Sequence, residues 1–291
     1  MTTLSIIILS FNTKDLITIC IQSLLKQYQE EISERKFEII IVDNASTDGS
    51  IPFLKSQKWA THIKFIENNK NYGFAKGCNI GAKHASARLL LFLNSDTQIE
   101  DKGLDGMVEF LEKNEKVGIL GGKLSNPDGS AQLYAGTFYT LSIVLLMLIG
   151  AERFGLSRFS PSHISQVDWV SGGSMMVQKN MFDELGGFDE TFFMYLEDME
   201  LCYRAFKKGY LTYYYPSVTI IHKQHGSSNR SFAIVHIYEG LLYFYKKHKS
   251  SLEYRVVRGA LRMKARVLIF LGKILDNTYL TKTYEEALTL S

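Results

Sequence analysis

Four short apolar-rich runs constrain this chain more than any other feature: Ser5–Leu9, Phe37–Val42, Ile63–Glu67 and Leu89–Leu93. Neighbouring side chains of a strand point to opposite faces, so a run that is apolar at successive positions suits a strand covered on both sides. The stretches between the first two runs and between the last two carry helical spacing. In the first stretch Leu16, Ile19, Cys20, Ser23 and Leu24 share one face behind a cap at Asn12 or Thr13, and a later helix carries Leu104, Met107, Val108 and Leu111. This alternation predicts an α/β fold with a doubly wound, mainly parallel sheet over about the first hundred residues, whose loops at one edge form a nucleotide site.

The chain has 291 residues, enough for one large domain or two closely packed ones. Cys20, Cys78 and Cys202 lie far apart without paired metal-ligand spacing, which predicts neither a disulfide framework nor a zinc site and fits a reducing cytoplasm. The start, MTTLSIIILS, runs straight into a strand and reads as mature structure without a secretory signal. A formal net charge of +3 and the lack of a basic motif with interleaved aromatics predict no nucleic-acid partner. Phe138 to Ala151 is an apolar stretch of about fourteen residues, short for a membrane span and suited to an interfacial or core segment.

Polar residues cluster where the strands end. LLLFLNSDTQIE places Asn94-Ser95-Asp96 at a carboxyl end, where a carboxylate either holds a metal that bridges to phosphates or closes a turn. In IIIVDNASTDGS, Asp43 either accepts a hydrogen bond from a base or ribose or forms an Asx-turn. Gly73, Gly77 and Gly81 in NYGFAKGCNIG let backbone approach a ligand. Glu197 and Asp198 open a helix that carries Leu201, Cys202, Ala205 and Phe206 inward and stops at Gly209; such acids either cap the helix or do proton chemistry.

Six blocks in order, LSFN, VDNASTDGS, NYGFAKGCNIG, LNSD, VSGGSMMV and GGFDETFFMYLEDMELCYR, resemble the inverting nucleotide-sugar glycosyltransferases of family 2, especially bacterial rhamnosyltransferase-like members. The resemblance runs from Leu4 to Tyr245. It implies a GT-A fold: a Rossmann-like sheet flanked by helices in a catalytic domain at 1–245, split into a nucleotide-binding half at 1–100 and an acceptor half at 101–245, with a helical extension at 246–291. It sets Asn94-Ser95-Asp96 in the place of the family's Asp-x-Asp, with Asn94 departing from that pattern. Asp96 and His222, or alternatively His225, would then hold Mg2+ or Mn2+. The resemblance also makes Asp198 the base and Glu197 an orienting or acceptor-binding acid, or the reverse. Phe11 would stack on the nucleobase beside Asn12, Asp43 would bind its edge or the ribose, and Gly73, Asn79, Asn94 and Gly173 would approach the donor. The implied reaction takes rhamnose or a hexose from a nucleotide-diphospho-sugar, dTDP-rhamnose or a UDP-hexose, to a glycan acceptor of the bacterial surface. No Gln-x-x-Arg-Trp motif is present, so one sugar per acceptor encounter is expected. The competing readings are a nucleotidylyltransferase, which would want a glycine-rich basic loop where SFNTKD stands, and a catalytically inactive scaffold, which Asn94 alone favours.

Between Leu252 and Leu275 a helical projection sets Arg255, Arg258, Arg262, Arg266 and Lys273 on one side and Val256, Ala260, Met263, Val267, Phe270, Leu271 and Ile274 on the other. Such a helix either lies on an anionic membrane, which would suit a lipid-linked acceptor and a place on the inner face of the cell membrane, or packs on the catalytic body or a partner subunit, a homo-oligomer included.

Overall fold

The computed structural model describes residues 2–150, 155, 157–223 and 230–290. The first half alternates strand and helix: β1 (Leu4–Ser10), α1 (Lys14–Ser33), β2 (Phe37–Asp43), α2 (Ser50–Lys55), β3 (Ile63–Glu67), α3 (Gly73–Lys83) and β4 (Leu89–Asn94). There follow β5 (Thr97–Ile99), α4 (Gly103–Lys113), β6 (Val117–Ser125), β7 (Ala135–Gly136), α5 (Leu141–Leu148), β8 (Arg158–Phe159), β9 (Ser165–Val167), β10 (Trp169–Val170) and β11 (Ser174–Gln178). The last part holds α6 (Lys179–Glu184), α7 (Glu197–Lys207), β12 (Leu211–His222), α8 (Arg230–His248), α9 (Ser251–Ile274) and α10 (Thr278–Leu290).

Among the described residues, nine strands form one sheet in the order β3-β2-β1-β4-β11-β6-β12-β5, with β9 added beside β12. The run β3-β2-β1-β4 is parallel, as is the β6–β12 pair, while β11, β5 and β9 run antiparallel to their neighbours. One sheet therefore draws strands from both the 1–100 and the 101–245 stretches. The apolar runs are explained by the layers on either side: Ile6, Ile8, Leu91 and Leu93 face a core shared with α1 and α4, while Ile7, Leu90 and Phe92 face a second core shared with α3, α6 and α7. The stripe that α1 buries is Ile17, Cys20, Ile21, Leu24 and Tyr28, rotated from the expected one, with Leu16 and Ile19 only half-buried.

Two consequences of register build the site. His222 pairs with Thr97 across β12 and β5, which sets the histidine beside Asp96 although 126 positions separate them in the chain (222 − 96). Asn94 N–H donates to the Gly173 carbonyl at 3.2 Å, because antiparallel β11 starts where β4 stops. The loop at 170–173 thus stands directly over the carboxyl end of β4. Beyond it, β10-β7-β8 make a separate small antiparallel sheet.

The expected boundary at 245 falls inside α8, where Tyr245 is buried and its hydroxyl donates to the Tyr139 carbonyl at 2.9 Å. Helix α9 packs on α5, α8 and α10 through a third stripe, Val257, Leu261, Ala265 and Gly272. Its apolar and basic stripes are thereby both left facing outward, since Met263, Val267, Phe270 and Ile274 are exposed alongside Arg255, Arg266 and Lys273. In the segment at 138–151, Phe138, Tyr139 and Val144 are buried and Leu145, Leu146 and Ile149 are exposed; Ala151 lies outside the described residues.

Candidate active site

A cavity of about 940 Å³ opens at the carboxyl ends of β1 and β4, lined by Phe11, Gly73, Asn94, Asp96, Gly172, Gly173, Glu197, Asp198 and His222, among others. Asp96 and Asp198, far apart in the sequence, thus face one space.

The Asp96 side is organised by hydrogen bonds. Gln132 Nε2 donates to Asn126 Oδ1 and to the His222 carbonyl, both at 2.8 Å, which fixes the amide with Oε1 pointing at His222. That oxygen can only accept, so His222 Nδ1 carries the proton across a 2.8 Å contact. In the neutral ring Nε2 is therefore a lone pair, and it meets Asp96 Oδ1 at 3.2 Å and Asn94 Nδ2 at 3.2 Å. An imidazole lone pair beside a carboxylate oxygen, with the far nitrogen pinned by a carbonyl, is the arrangement of metal-ligating histidines. Among the described residues no group of three or more His, Cys, Asp or Glu converges, so an ion held here would take one carboxylate and one imidazole from the protein. That set suits an ion whose other positions are substrate oxygens and water. His225 lies outside the described residues.

The two acids that open α7 differ. Tyr195 and Leu196 both hold left-handed backbone, φ 70° and 69°, a conformation that costs about 1–3 kcal/mol at each non-glycine residue and is kept only where surrounding packing enforces it. This double turn aims the start of α7 at the cavity. Asp198 is half-buried; its Oδ2 accepts the Gly172 N–H at 3.0 Å and its Oδ1 the Met199 N–H at 2.7 Å. Burial pushes its pKa above the ordinary aspartate range, against the pull of those two amides and the Arg158 charge. Glu197 is buried with Oε2 unpartnered, and burial followed by the nearby Asp198 charge pushes its pKa well above the ordinary glutamate range. Glu200, fully buried one turn on, is paired with Arg204, Lys247 and His248 and ties α7 to α8.

Other expected donor contacts divide. Phe11 and Gly73 line the cavity, and a Cβ at Gly73, φ +79°, would stand 2.2 Å from the Phe193 carbonyl oxygen. Gly173 lines it too, with Leu124 Cδ1 2.9 Å from where its Cβ would be. Asp43 is buried; its Oδ2 closes the turn by accepting Ser46 N–H at 2.9 Å, while Oδ1 is unpartnered. Asn79 and Asn12, also expected at the donor, do not line the cavity. Asn79 accepts from Phe188 N–H at 2.9 Å and donates to the Phe188 carbonyl at 2.8 Å and to Glu190 at 3.2 Å, so it clamps α3 to the chain after α6. Asn12 Oδ1 accepts the Thr47 N–H at 2.8 Å and bridges two loops outside the cavity wall. Sequence reasoning missed Asn44, Gln132, Tyr134, Tyr139 and Arg158, which line the cavity as well.

The model of glycosyl transferase family 2 matches residues 5–185. The chain belongs to that family. Among its relatives, the N-acetylglucosaminyl-diphospho-decaprenol L-rhamnosyltransferase of Mycobacterium tuberculosis (strain CDC 1551 / Oshkosh) is 27% identical over 220 residues, 68% of this chain and 70% of that protein. The rhamnosyltransferase WbbL of Escherichia coli K12 is 28% identical over 170 residues, 55% of this chain and 64% of that protein. The mannosyltransferase PcManGT from Pyrobaculum calidifontis, solved in complex with GDP-Man and Mn2+, superposes with a TM-score of 0.59 at 16% identity, over 98% of this chain and 74% of that one, a likeness of fold. This family 2 glycosyltransferase therefore carries the GT-A sheet that the sequence blocks imply, with its cavity at the carboxyl ends of the parallel strands.

Proposed function

We propose that this glycosyltransferase is inverting and non-processive, and moves rhamnose or a hexose from a nucleotide-diphospho-sugar to a lipid-linked saccharide during assembly of a bacterial surface polysaccharide. The observation that carries the reading is the single cavity shared by Asp198 and the Asp96–His222 pair. The names of the mycobacterial and Escherichia coli relatives favour rhamnose as the sugar, and the first of them a diphospho-lipid acceptor.

In this reading Asp198 is the base. It is half-buried at the cavity wall and held by two backbone N–H groups, whereas Glu197 is buried, with burial and the Asp198 charge favouring its protonated form. The Asp198 carboxylate takes the proton of the acceptor hydroxyl as that oxygen bonds the anomeric carbon. The bond from that carbon to the diphosphate breaks on the opposite face, and the electron pair leaves with the nucleoside diphosphate. Asp96 and His222 would hold Mg2+ or Mn2+, whose chemistry is to offset the charge that grows on the departing diphosphate. Phe11, which lines the cavity, would stack on the nucleobase; Asp43, buried outside the cavity lining with Oδ1 unpartnered, would bind the base edge or the ribose; and Gly73 and Gly173 would leave room for the donor.

Among the described residues no helix is long and apolar enough to cross a membrane. Helix α9 nevertheless presents Met263, Val267, Phe270 and Ile274 outward beside Arg255, Arg266 and Lys273, with exposed Ile149 of the neighbouring segment nearby in sequence to α5. Apolar residues beside a basic ridge suit the surface of an anionic membrane and support a reading of the protein as peripheral on the inner face of the cell membrane.

The test incubates the protein with dTDP-rhamnose or UDP-hexoses, Mg2+ or Mn2+ and a short-chain N-acetylglucosaminyl-diphospho-lipid. Nucleoside diphosphate release and a product of inverted anomeric configuration by NMR are expected. A retained configuration would overturn the mechanism.

A further inference from the structure

Arg158 is the one lysine or arginine among the described residues lining the cavity; the other titratable groups of acids and histidines there are Asp96, Glu197, Asp198 and His222. Its guanidinium makes no ion pair with a described carboxylate. Nε and Nη2 both donate to the Tyr139 hydroxyl, at 3.3 and 3.2 Å, and the group lies over the Trp169 indole, 5.5 Å from the ring centroid. A phenol and an indole orient a guanidinium without neutralising it. Asp198 acts on this charge only through space, without an ion pair, so N–H groups are left for an anion that enters the cavity. The planar fork of arginine matches the paired oxygens of a phosphate.

Register fixes which part of the cavity this charge serves. Arg158 is opposite Gly136, and Gly136 is opposite Trp169, across β8-β7-β10. The chain leaves β10 directly into Ser171–Gly173, where the Gly172 N–H holds Asp198. Arg158 is thus on the wall that carries Asp198, and its charge favours the ionised form of that carboxyl.

We propose that Arg158 binds phosphate oxygens of a substrate, and that these belong to an acceptor whose accepting sugar is joined to a phosphate or diphosphate. This rests on the reading of Asp198 as the acceptor's base. The same chemistry has a second source, the diphosphate of the donor, and the experiment separates the two.

The full chain and its Arg158→Gln, Arg158→Lys and Tyr139→Phe variants are compared in two assays. In direct binding by calorimetry without metal, inorganic diphosphate and UDP are the probes. In transfer, the N-acetylglucosaminyl-diphospho-lipid is compared with the same sugar as a neutral octyl glycoside. Losing a charged hydrogen bond predicts at least about tenfold weaker inorganic diphosphate binding in Arg158→Gln, partly restored in Arg158→Lys and largely kept in Tyr139→Phe. The KM preference for the phosphorylated acceptor over the neutral one falls by at least about tenfold, while UDP affinity changes less than about threefold. If UDP affinity falls and the acceptor preference stands, the arginine serves the donor and the acceptor assignment is overturned. Equal diphosphate binding by Arg158→Gln and the parent overturns the site altogether. A protein that transfers to neither acceptor yet loses diphosphate binding in Arg158→Gln would refute the transfer reading and leave the anion site standing.

Discussion

Asp96 Oδ1 and His222 Nε2 stand 3.2 Å apart, brought together by the pairing of β5 with β12. Gln132 decides what that closeness means, because its carbonyl oxygen takes the Nδ1 proton and leaves Nε2 electron-rich. Gln132→Met keeps the volume and removes the acceptor. Mn2+ affinity, read from the free-ion signal in electron paramagnetic resonance, should fall about 10–100-fold, the usual loss for an outer partner of a ligating histidine. Unchanged affinity would show that His222 needs no such orientation.

Glu197 offers a stability test with a definite sign. Its folded-state pKa is raised by burial and by Asp198, so the folded protein holds the proton more tightly than the unfolded chain does. That contribution is fully present below the unfolded carboxylate pKa and is lost as pH rises through the folded one. Glu197→Gln carries no such dependence. Its Tm should therefore gain on the parent's as pH rises above the ordinary carboxylate range. A difference that stays constant with pH, or shrinks as pH rises, would mean that Glu197 is ionised in the fold.

Two glycines separate backbone strain from crowding. Gly73 and Gly129 both have positive φ, +79° and +84°, but only at Gly73 does an added Cβ meet backbone, the Phe193 oxygen at 2.2 Å. That oxygen also accepts the Phe74 N–H at 2.6 Å, so Gly73→Ala disturbs the wall of the cavity. Denaturant midpoints should place Gly129→Ala about 1 kcal/mol below the parent and Gly73→Ala well beyond that. Equal losses would contradict the crowding at Gly73.

The outward face of α9 is testable because its residues can change without touching the core. Met263→Asp with Phe270→Asp should leave Tm nearly unchanged and reduce co-sedimentation with phosphatidylglycerol vesicles at least about tenfold. Raising salt should weaken binding of the parent, since the basic ridge contributes. Equal vesicle binding by the double variant would remove the membrane from the account.

What the sequence disclosed follows from how local each feature is. β4 is readable because Leu90 and Phe92 face one core and Leu91 and Leu93 the other, which makes the run apolar throughout. Polar residues at strand ends were harder: Asn12 and Asn79 look the same in sequence whether they bind a ligand or the backbone of a neighbouring loop. Gln132, Tyr139 and Arg158 sit in a stretch of turns and very short strands with no period to read, and they acquire a role only when β12 and the small sheet close over them. On α9 the projection separated two stripes correctly, but the third, Val257, Leu261 and Ala265, is what docks. Glu197 and Asp198 are adjacent acids at one helix start; burial, invisible in sequence, pushes the pKa of Glu197 well up and leaves Asp198 half-buried at the cavity.

The base assignment at Asp198 has the most direct test, nucleoside diphosphate release by Asp198→Asn. The amide still accepts one of the two backbone N–H groups, so the loop at Gly172 and the donor pocket persist. Turnover should fall by about 10²–10⁴-fold, the range for loss of a general base, with donor affinity within a few-fold of the parent. A variant that releases nucleoside diphosphate at the parental rate in the presence of acceptor would contradict the account.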